Sequence, residues 1–257
     1  MKNGKNGIKP EEKILKAAKK EFAEKGFQGS RMAEIAKLAK VNKALIHYYF
    51  NNKDDLYRAV LERIFGHGKI DIPLLFGKWN LTAPQKLYVV IYFLVNLSIK
   101  ASDPEVIRII SWEIAEGKKY LKEFIKKYIV TRQLFLRSVI IEGIESGDFE
   151  SKSPSIVVMN LFSMIFLYQN LYDVIDIVED AVDNGTKGGL YFKQNLLEQT
   201  VQLMFKILKP ENKGLKIPEV PADLIKLLDE LIETIKQKQD QGLTEEALKQ
   251  LERILSL

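Results

Sequence analysis

The amino-acid sequence predicts an all-α protein with an N-terminal three-helix helix-turn-helix module, a larger helical domain and an extra helical tail. Apolar residues recur at helical spacing through most of the 257 residues, and we find no convincing alternating strand pattern. Two short helical patterns near residue 40 are joined by only a few residues, as in a helix-turn-helix. Residues 1–66 hold 15 Lys and Arg against 8 Asp and Glu, whereas the remainder holds 24 against 26.

The composition is that of an ordinary soluble globular protein, with 46% hydrophobic and 28% charged residues. The absence of cysteine excludes disulfides, thiolate nucleophiles and iron–sulfur ligation. The first ten residues are polar and basic, so we expect no secretory signal and a cytoplasmic protein. The apolar segments 87–99 and 156–168 are short and interrupted, so we expect buried helices and no membrane partner.

The first helix is expected to follow Pro10, because proline is favoured in the first turn of a helix. Gly26 is expected to stop it. The helix then presents an apolar stripe for burial, formed by Ile14, Leu15, Ala18, Phe22 and Ala23.

Three further helices complete the N-terminal quarter. Ser30 is a candidate N-cap of the second helix and Asn42 of the third, since both side chains can accept a hydrogen bond from an unpaired backbone N–H. The third helix is expected to reach about Phe50. A fourth helix is expected from about Lys53 to Phe65.

The rest of the chain predicts long helices separated by Gly, Pro and Asn residues. Their expected ranges are 84–101, 103–116, 118–146, 154–178, 189–208, 222–240 and 244–256. We therefore divide the chain into a helix-turn-helix DNA-binding domain (1–52), a helical regulatory and dimerisation domain (53–210) and a helical C-terminal extension (211–257).

A pattern of coordinated positions carries the functional prediction. Its residues are Phe22, Gly26, Ser30, Ile35-Ala36, Ala39, Val41, Asn42, His47-Tyr48-Tyr49-Phe50 and Lys53. The pattern resembles the DNA-binding domain of the TetR/AcrR repressor family over about residues 9–65. The resemblance implies a ligand-responsive repressor that binds a palindromic operator in double-stranded DNA as a homodimer.

The chemistry of the side chains supports this resemblance. Asn42 caps the third helix, and Lys43, Ala44 and Leu45 form its first turn, which approaches base edges when a helix enters the major groove. Contacts with phosphates position the helix without reading sequence. We assign the phosphate contacts to Ser30, Arg31, His47, Tyr48 and Lys53.

Two positions depart from the family pattern. Lys40 stands where the turn commonly has glycine, and Leu45 stands where a small or hydroxyl residue is frequent. Lys40 must then adopt a left-handed conformation at some energetic cost. We expect Tyr48 to face outward, and Ile46, Tyr49 and Phe50 to join the small core.

The C-terminal body is expected to supply dimerisation and effector binding. By order along the chain, the helices at 154–178 and 189–208 are the dimer helices. Their predicted interface stripes are Val157, Leu161, Ile165, Tyr168 and Tyr172, and Leu196, Leu197, Val201, Met204 and Phe205. A cavity for a hydrophobic small molecule is expected among residues 84–178, with segment 103–116 as a lever on the fourth helix. Its candidate lining is Tyr88, Tyr92, Phe93, Trp112, Phe135, Phe162 and Phe166, although aromatic residues at helical spacing are also typical of simple core.

The C-terminal extension goes beyond what the family usually carries. Leu224, Leu228 and Leu231 belong to one apolar stripe, and Leu248 and Leu251 to a second. Such stripes need a partner surface. They can cover the body of the same chain, wrap the other subunit or dock another protein.

Two other classes of protein are alternatives to a ligand-responsive regulator. An enzyme is disfavoured, because the chain has no cysteine, only two histidines, no glycine-rich phosphate loop and no metal-ligand spacing. We therefore expect no catalytic residues, no metal and no cofactor. An architectural DNA-binding protein without a small-molecule effector is the alternative within DNA binding, and it predicts weak sequence preference and a filled core.

Overall fold

A computed structural model describes residues 9–66, 76, 79–151, 153–182, 188–208 and 218–238. In these ranges the regular elements are helices and no strand is present, which confirms the all-α fold. The α-helices are α1 (Pro10–Gly29), α2 (Met32–Ala39), α3 (Lys43–Tyr49), α4 (Lys53–Gly66), α5 (Ala83–Lys100), α6 (Pro104–Ala115), α7 (Leu121–Phe124), α8 (Val130–Glu145), α9 (Pro154–Val182), α10 (Gly188–Leu208) and α11 (Ala222–Lys238). The expected helix at 244–256 lies outside the described residues.

The described residues form two compact units. The first contains residues 9–66 and 103–128, and the second contains the remainder. The sequence analysis placed α4 and α6 in a domain that begins at residue 53, but both helices pack against α1. Their apolar faces complete the core around α1, so the first unit is larger than the three helices expected.

The core of the first unit is built on one face of α1. Ile14, Ala18 and Phe22 of this face are completely buried. Around them lie buried side chains of α2, α3, α4 and α6, namely Ile35, Ile46, Leu56, Leu61 and Ile109. Each helix of the helix-turn-helix is therefore positioned by α1, because α1 supplies the apolar surface against which the others are buried.

Gly26 interrupts α1 where the sequence predicts a stop. Its backbone has φ 66° and ψ 179°, and the chain resumes helical geometry as far as Gly29. Trp112 of α6 packs at this break and donates its indole N–H to the carbonyl of Ala23 at 3.2 Å. A β-carbon at Gly26 would lie 2.6 Å from the Oε1 atom of Glu116 and 3.0 Å from Cδ2 of Trp112. Only glycine fits both this conformation and this close approach.

Glu113 forms a buried polar junction between α6, α4 and α7. Its carboxylate accepts hydrogen bonds from the Tyr57 hydroxyl at 3.0 Å and from the backbone N–H groups of Tyr120 at 3.0 Å and Leu121 at 2.9 Å. Burial raises the pKa of Tyr57, and the neighbouring Glu113 raises it further. The junction therefore keeps the Tyr57 hydroxyl protonated as a donor and fixes α6 to α4.

The helix expected at 118–146 is divided into three parts. Residues Leu121–Phe124 are α-helical, Ile125–Ile129 form a π-helix, and Val130–Glu145 are α-helical again. Lys118 has φ 63° just before this segment. A π-turn inserts an extra residue into the helix and changes the face that the following residues present, which a helical period alone does not reveal.

The second unit surrounds α5. This helix packs against α8, α9, α10 and α11, and its residues Leu87, Ile91 and Val95 are fully buried. Phe149, just after α8, is also buried and packs edge-on against Phe205 of α10 at 6.1 Å between ring centroids.

The predicted dimer stripes lie inside this unit. Val157 and Leu161 of α9 and Val201 and Met204 of α10 are all buried within a single chain. Tyr168 is buried with them, and the side chain of Tyr172 lies outside the described residues. For the buried members of the stripes, the assignment to an intersubunit surface is wrong, because α9 and α10 pack on each other and on α5 and α8. Ile165 and Leu197 are half-buried, and their role stays a prediction.

The first stripe of the C-terminal extension covers the body of its own chain. Five side chains of α11 are buried, namely Leu224, Leu228, Leu231, Ile232 and Ile235. The Asp229 carboxylate accepts hydrogen bonds from the Tyr92 hydroxyl at 3.1 Å and from Lys100 at 3.0 Å, both on α5. Of the three alternatives for this stripe, the structure selects intramolecular packing.

We predict that Gly26→Ala destabilises the protein by at least about 2 kcal/mol, because the backbone region is strained for any residue with a β-carbon and the β-carbon meets Glu116 and Trp112. Gly29→Ala is the matched control: its β-carbon would meet only the Lys25 β-carbon at 3.3 Å, so we expect a change within about 0.5 kcal/mol. Urea unfolding measures both. Equal stability of the two variants would contradict this account of α1.

Candidate nucleic-acid interface

The turn between α2 and α3 has the geometry that the sequence predicts. Lys40 adopts the left-handed conformation with φ 55° and ψ 44°. The N–H of Val41 donates to the Ala36 carbonyl at 3.0 Å, which closes α2 with the hydrogen-bond pattern of a glycine C-cap. Asn42 then caps α3, since its Oδ1 atom accepts from the N–H of Leu45 at 2.7 Å. The left-handed Lys40 and the Asn42 cap are both confirmed.

One face of α3 is exposed and the other is anchored. Ile46 is completely buried, and Phe50 follows it into the core. Lys43, Ala44 and His47 are exposed, and Leu45 is half-buried. Lys43 and Ala44 lie on the first turn of α3, and His47 lies one turn after Lys43 on the same side. The small Ala44 side chain leaves room near the N-terminus of this exposed face.

Two tyrosines stand at the C-terminal end of this face. Tyr48 is 80% exposed, as expected. Tyr49 was expected in the core but is 37% exposed, and its ring packs edge-on against Tyr48 at 5.2 Å between centroids. The prediction for Tyr49 is wrong because Ile46 and Phe50 already occupy the inward positions of this short helix.

His47 is tied to the segment that follows α3. Its Nδ1 atom lies 3.0 Å from the carbonyl oxygen of Asn51. The side chains of Asn51 and Asn52 both donate to the Asp55 carboxylate at 3.1 Å, and Oδ1 of Asn52 accepts from the N–H of Asp55 at 2.8 Å. These bonds fix the α3–α4 connection and occupy the Nδ1 atom of the exposed His47 imidazole.

Ser30 and Lys53 hold the end of α1 together. Ser30 is buried and donates its hydroxyl to the Phe27 carbonyl at 3.0 Å, so its predicted role as the N-cap of α2 is wrong, and Arg31 occupies that position. The Lys53 ammonium donates to the Ser30 carbonyl at 2.7 Å and lies 4.6 Å above the Phe27 ring. Partial burial lowers the pKa of Lys53. Both side chains therefore already bind protein groups at the end of α1.

Sequence reasoning missed Glu21. This carboxylate is buried, accepts from Lys25 at 2.9 Å and receives the N–H of Arg31 at 3.4 Å. An unpaired N–H at the start of α2 is thereby satisfied by a residue of α1. The sequence does contain one signal for this role. By helical spacing, Glu21 falls on the apolar face of α1 together with Ala17, Ala18 and Phe22, where a carboxylate is unexpected.

The nine predicted DNA-contacting residues therefore fall into two groups. Lys43, Ala44, His47 and Tyr48 lie together on the exposed face of α3, and Arg31 is exposed at the start of α2. Asn42, Ser30 and Lys53 make contacts within the protein, and Leu45 is half-buried. Their roles toward DNA stay predictions.

The candidate effector residues do not all belong to one unit. Trp112 lies in the first unit, at the break of α1, whereas the other six lie in the second. Within the second unit, Phe93 is buried, Phe135 stacks on Phe76 at 5.5 Å, and Phe166 is 41% exposed. Burial and the neighbouring Asp229 raise the pKa of Tyr92 to about 12. Trp112 therefore belongs to a different unit from the other six candidate effector residues.

Ser98 is a buried polar residue that sequence reasoning did not single out. It is 3% exposed on α5, and its hydroxyl has no hydrogen-bond partner among the described residues. Such unsatisfied groups are rare in folded proteins and call for an explanation. No group of three or more His, Asp or Glu side chains suited to a metal ion occurs in the described part of the chain.

Comparisons with known proteins agree with this geometry. Residues 14–60 match the family model of bacterial regulatory proteins of the tetR family. The HTH-type transcriptional repressor SCO4008 of Streptomyces coelicolor is 31% identical over 144 residues, which cover 53% of this chain and 70% of the repressor. The HTH-type transcriptional repressor NicS of Pseudomonas putida is 41% identical over 71 residues, which cover 25% of this chain and 34% of that repressor.

Solved structures extend the similarity beyond the N-terminal unit. The hemolysin II transcriptional regulator HlyIIR is 27% identical, with a TM-score of 0.54 over 79% of this chain and 98% of that chain. The fold of FadR from Bacillus subtilis is matched with a TM-score of 0.54 over 77% and 98% of the two chains, at 22% identity. This chain therefore belongs to the TetR family of bacterial helix-turn-helix transcriptional regulators.

Proposed function

We propose that this protein is a sequence-specific repressor that binds a palindromic operator as a homodimer and responds to a hydrophobic effector. The observation that carries the DNA-binding part is the outward face of α3, where Lys43, Ala44, His47 and Tyr48 are exposed while Ile46 anchors the helix. A major groove admits one helix, whose N-terminal residues approach the base edges. Ala44 allows close approach, and Lys43 supplies a donor for a base or a phosphate.

The proposed dimer surface is the outward face of α9 and α10. Met159, Ile156 and Leu167 on α9 are 66%, 59% and 53% exposed, and Leu203 and Ile207 on α10 are 44% and 40% exposed. The expectation of a buried helix at 156–168 holds for one face only within a single chain, because 22% of residues 154–171 are buried. Large apolar side chains exposed on two helices that pack on each other favour an interaction surface.

A second copy of the chain fits this surface better than a bilayer. The Pro154–Leu171 segment is the one described segment long and apolar enough to cross a membrane, which is weak support for a span. Its opposite side is buried against α5, α8 and α10, so it packs as part of a folded unit. A two-fold pairing of α9 and α10 is self-complementary and gives a dimer whose symmetry matches a palindrome.

We predict that Met159→Glu dissociates the dimer. A carboxylate buried without a partner in each subunit costs several kcal/mol, so the dimer dissociation constant should rise at least about 100-fold. Affinity for DNA should fall with it, because a monomer contacts a single half-site. Light scattering with size-exclusion chromatography and DNA titration measure the two effects.

Leu134→Glu is the matched control for this variant. Leu134 is also an exposed apolar residue, at 58%, but it lies on α8. We expect it to leave both the dimer and the DNA affinity unchanged. A dimer that survives Met159→Glu, or dissociates equally with Leu134→Glu, would overturn the proposed interface.

The effector is proposed to bind in the second unit near α5. Tyr88 and Tyr92 lie on this helix with ring centroids 6.2 Å apart. Phe93, the next residue of the helix, is buried. The unpaired hydroxyl of Ser98 lies on the same helix. Apolar walls with few polar groups suit a hydrophobic ligand, and Ser98 supplies one hydrogen-bonding group for it.

The Glu113 junction is the proposed transmission element. It connects α6, the predicted lever, to α4 through the Tyr57 hydroxyl at 3.0 Å. A ligand can shift the equilibrium only between states that differ in affinity for it. We propose that the effector favours a position of α6 in which α4, and with it α3, no longer matches the spacing of the half-sites.

We predict opposite effects of Ser98→Ala on stability and on effector binding. Removing an unsatisfied buried hydroxyl should raise the stability of the free protein by about 1 kcal/mol. Loss of the hydrogen bond should weaken the effector about tenfold. Stearoyl-CoA, the ligand in the structure of Bacillus subtilis FadR, is the test ligand, and thermal unfolding in its presence measures binding. Native mass spectrometry identifies ligands that co-purify with the protein.

Ser138→Ala is the control for this pair of effects. Ser138 is exposed and donates to the Phe135 carbonyl at 2.7 Å, so the variant should change stability by less than about 0.5 kcal/mol. A Ser98→Ala protein that is no more stable than wild type and binds ligand equally would contradict the role of Ser98. An absence of any bound or binding hydrophobic ligand would favour the architectural alternative.

A further inference from the structure

We propose that His47 contacts a DNA phosphate only as an imidazolium, so that DNA binding takes up a proton at this residue. The inference rests on the proposed DNA-binding function of α3. It follows from the one hydrogen bond that the imidazole makes within the protein.

The bond to Asn51 determines which nitrogen of His47 carries hydrogen. Nδ1 lies 3.0 Å from the Asn51 carbonyl oxygen. A carbonyl oxygen accepts and cannot donate, so Nδ1 must carry the proton of this bond. In a neutral imidazole only one nitrogen is protonated, and the Nε2 atom is then an acceptor.

A phosphate oxygen in a DNA backbone is also an acceptor. Neutral His47 with its Nδ1–H committed to Asn51 therefore presents a lone pair to the phosphate, and the two groups repel. Transfer of one proton from the solvent to Nε2 converts this atom into a donor and gives the ring a positive charge. The resulting N–H···O bond is charge-assisted, which makes it stronger than a neutral one.

Among the described residues, no acidic side chain forms a hydrogen bond or an ion pair with His47. The charged residues along the chain on either side of His47 are Lys37, Lys40 and Lys43 before it and Lys53, Asp54 and Asp55 after it, and α1, which contacts α3, carries Glu21 and Lys25 among its charged residues. The Asp55 carboxylate accepts from Asn51 and Asn52, and Asp54 bonds Tyr120 and Lys119. Glu21 pairs with Lys25, and no carboxylate among the described residues forms an ion pair with His47.

The sign of the pH dependence follows from the proton count. Wherever the free imidazole is neutral, the proposed DNA-bound state holds one more proton per subunit, so the dissociation constant must rise as pH rises. Imidazole changes charge within about pH 5 to pH 8. Toward the upper end of this range, the dissociation constant should increase by up to about tenfold per pH unit for each subunit that contacts DNA.

The test measures binding of the full-length protein to a short duplex from about pH 6 to about pH 8. His47→Gln keeps a neutral side-chain N–H that can donate to phosphate at every pH, so it should bind with a flat pH profile and at least as tightly as wild type at the alkaline end. His67→Gln is the matched control, because His67 is the only other histidine of the chain. It should retain the wild-type slope.

Salt dependence gives a second readout that a purely structural role of His47 would not change. The imidazolium neutralises one more phosphate per subunit, so the slope of log K against log salt should be steeper at the acidic end by about 0.9 per subunit. This difference should vanish in His47→Gln.

A wild-type protein that binds with a flat pH profile, or a His47→Gln protein that keeps the slope, overturns the inference alone. A wild-type protein that binds no duplex at any pH overturns the proposed function with it.

Discussion

The buried face of α1 is the constraint on which the DNA-binding unit depends. Ile14, Ala18 and Phe22 give α2, α3, α4 and α6 a common surface. α3 spans only Lys43–Tyr49, and an isolated helix of this length is unstable in water. Its orientation is therefore determined by the burial of Ile46 and Phe50, the Asn42 cap and the left-handed Lys40. These contacts allow the opposite face to remain polar and exposed for a partner.

The interruption of α1 at Gly26 is where α6 contacts α1 within this unit. Trp112 and Glu116 occupy the space that a β-carbon would need, and the Trp112 indole bonds a carbonyl of α1. At the C-terminal end of the same helix, the Ser30 hydroxyl donates to the Phe27 carbonyl and the Lys53 ammonium donates to the Ser30 carbonyl. A displacement of α6 must disturb the Trp112 contacts with α1 and the Glu113 junction together. The proposed regulatory coupling would act through the Trp112 indole bond to α1 and the Glu113 bond to Tyr57.

Much of this architecture follows from the sequence because it depends on local signals. Pro10, Gly26 and Asn42 mark helix boundaries through their own backbone and side-chain chemistry, and the structure has boundaries at these residues. Tyr49 and the dimer stripes were misassigned because periodicity shows that a face is apolar without showing which surface covers it. α9 is apolar on both sides, so the choice between the core face and the outer face depends on α5, α8 and α10. The π-helix at Ile125–Ile129 and the buried carboxylate of Glu113 depend on tertiary contacts and have no clear local signal, whereas Glu21 is marked only by its position on the apolar face of α1.

The central claim is that two α3 helices of a symmetric dimer read two half-sites of one operator. Selection of bound duplexes from a random DNA pool tests it most directly. The account predicts an enriched palindrome with half-sites about one or more turns of DNA apart, about 34–36 Å per turn, for wild type. For Met159→Glu it predicts a single half-site or no enrichment. Enrichment of no sequence by the wild-type protein, or of a non-palindromic one, would contradict the account and leave an architectural DNA-binding role in its place.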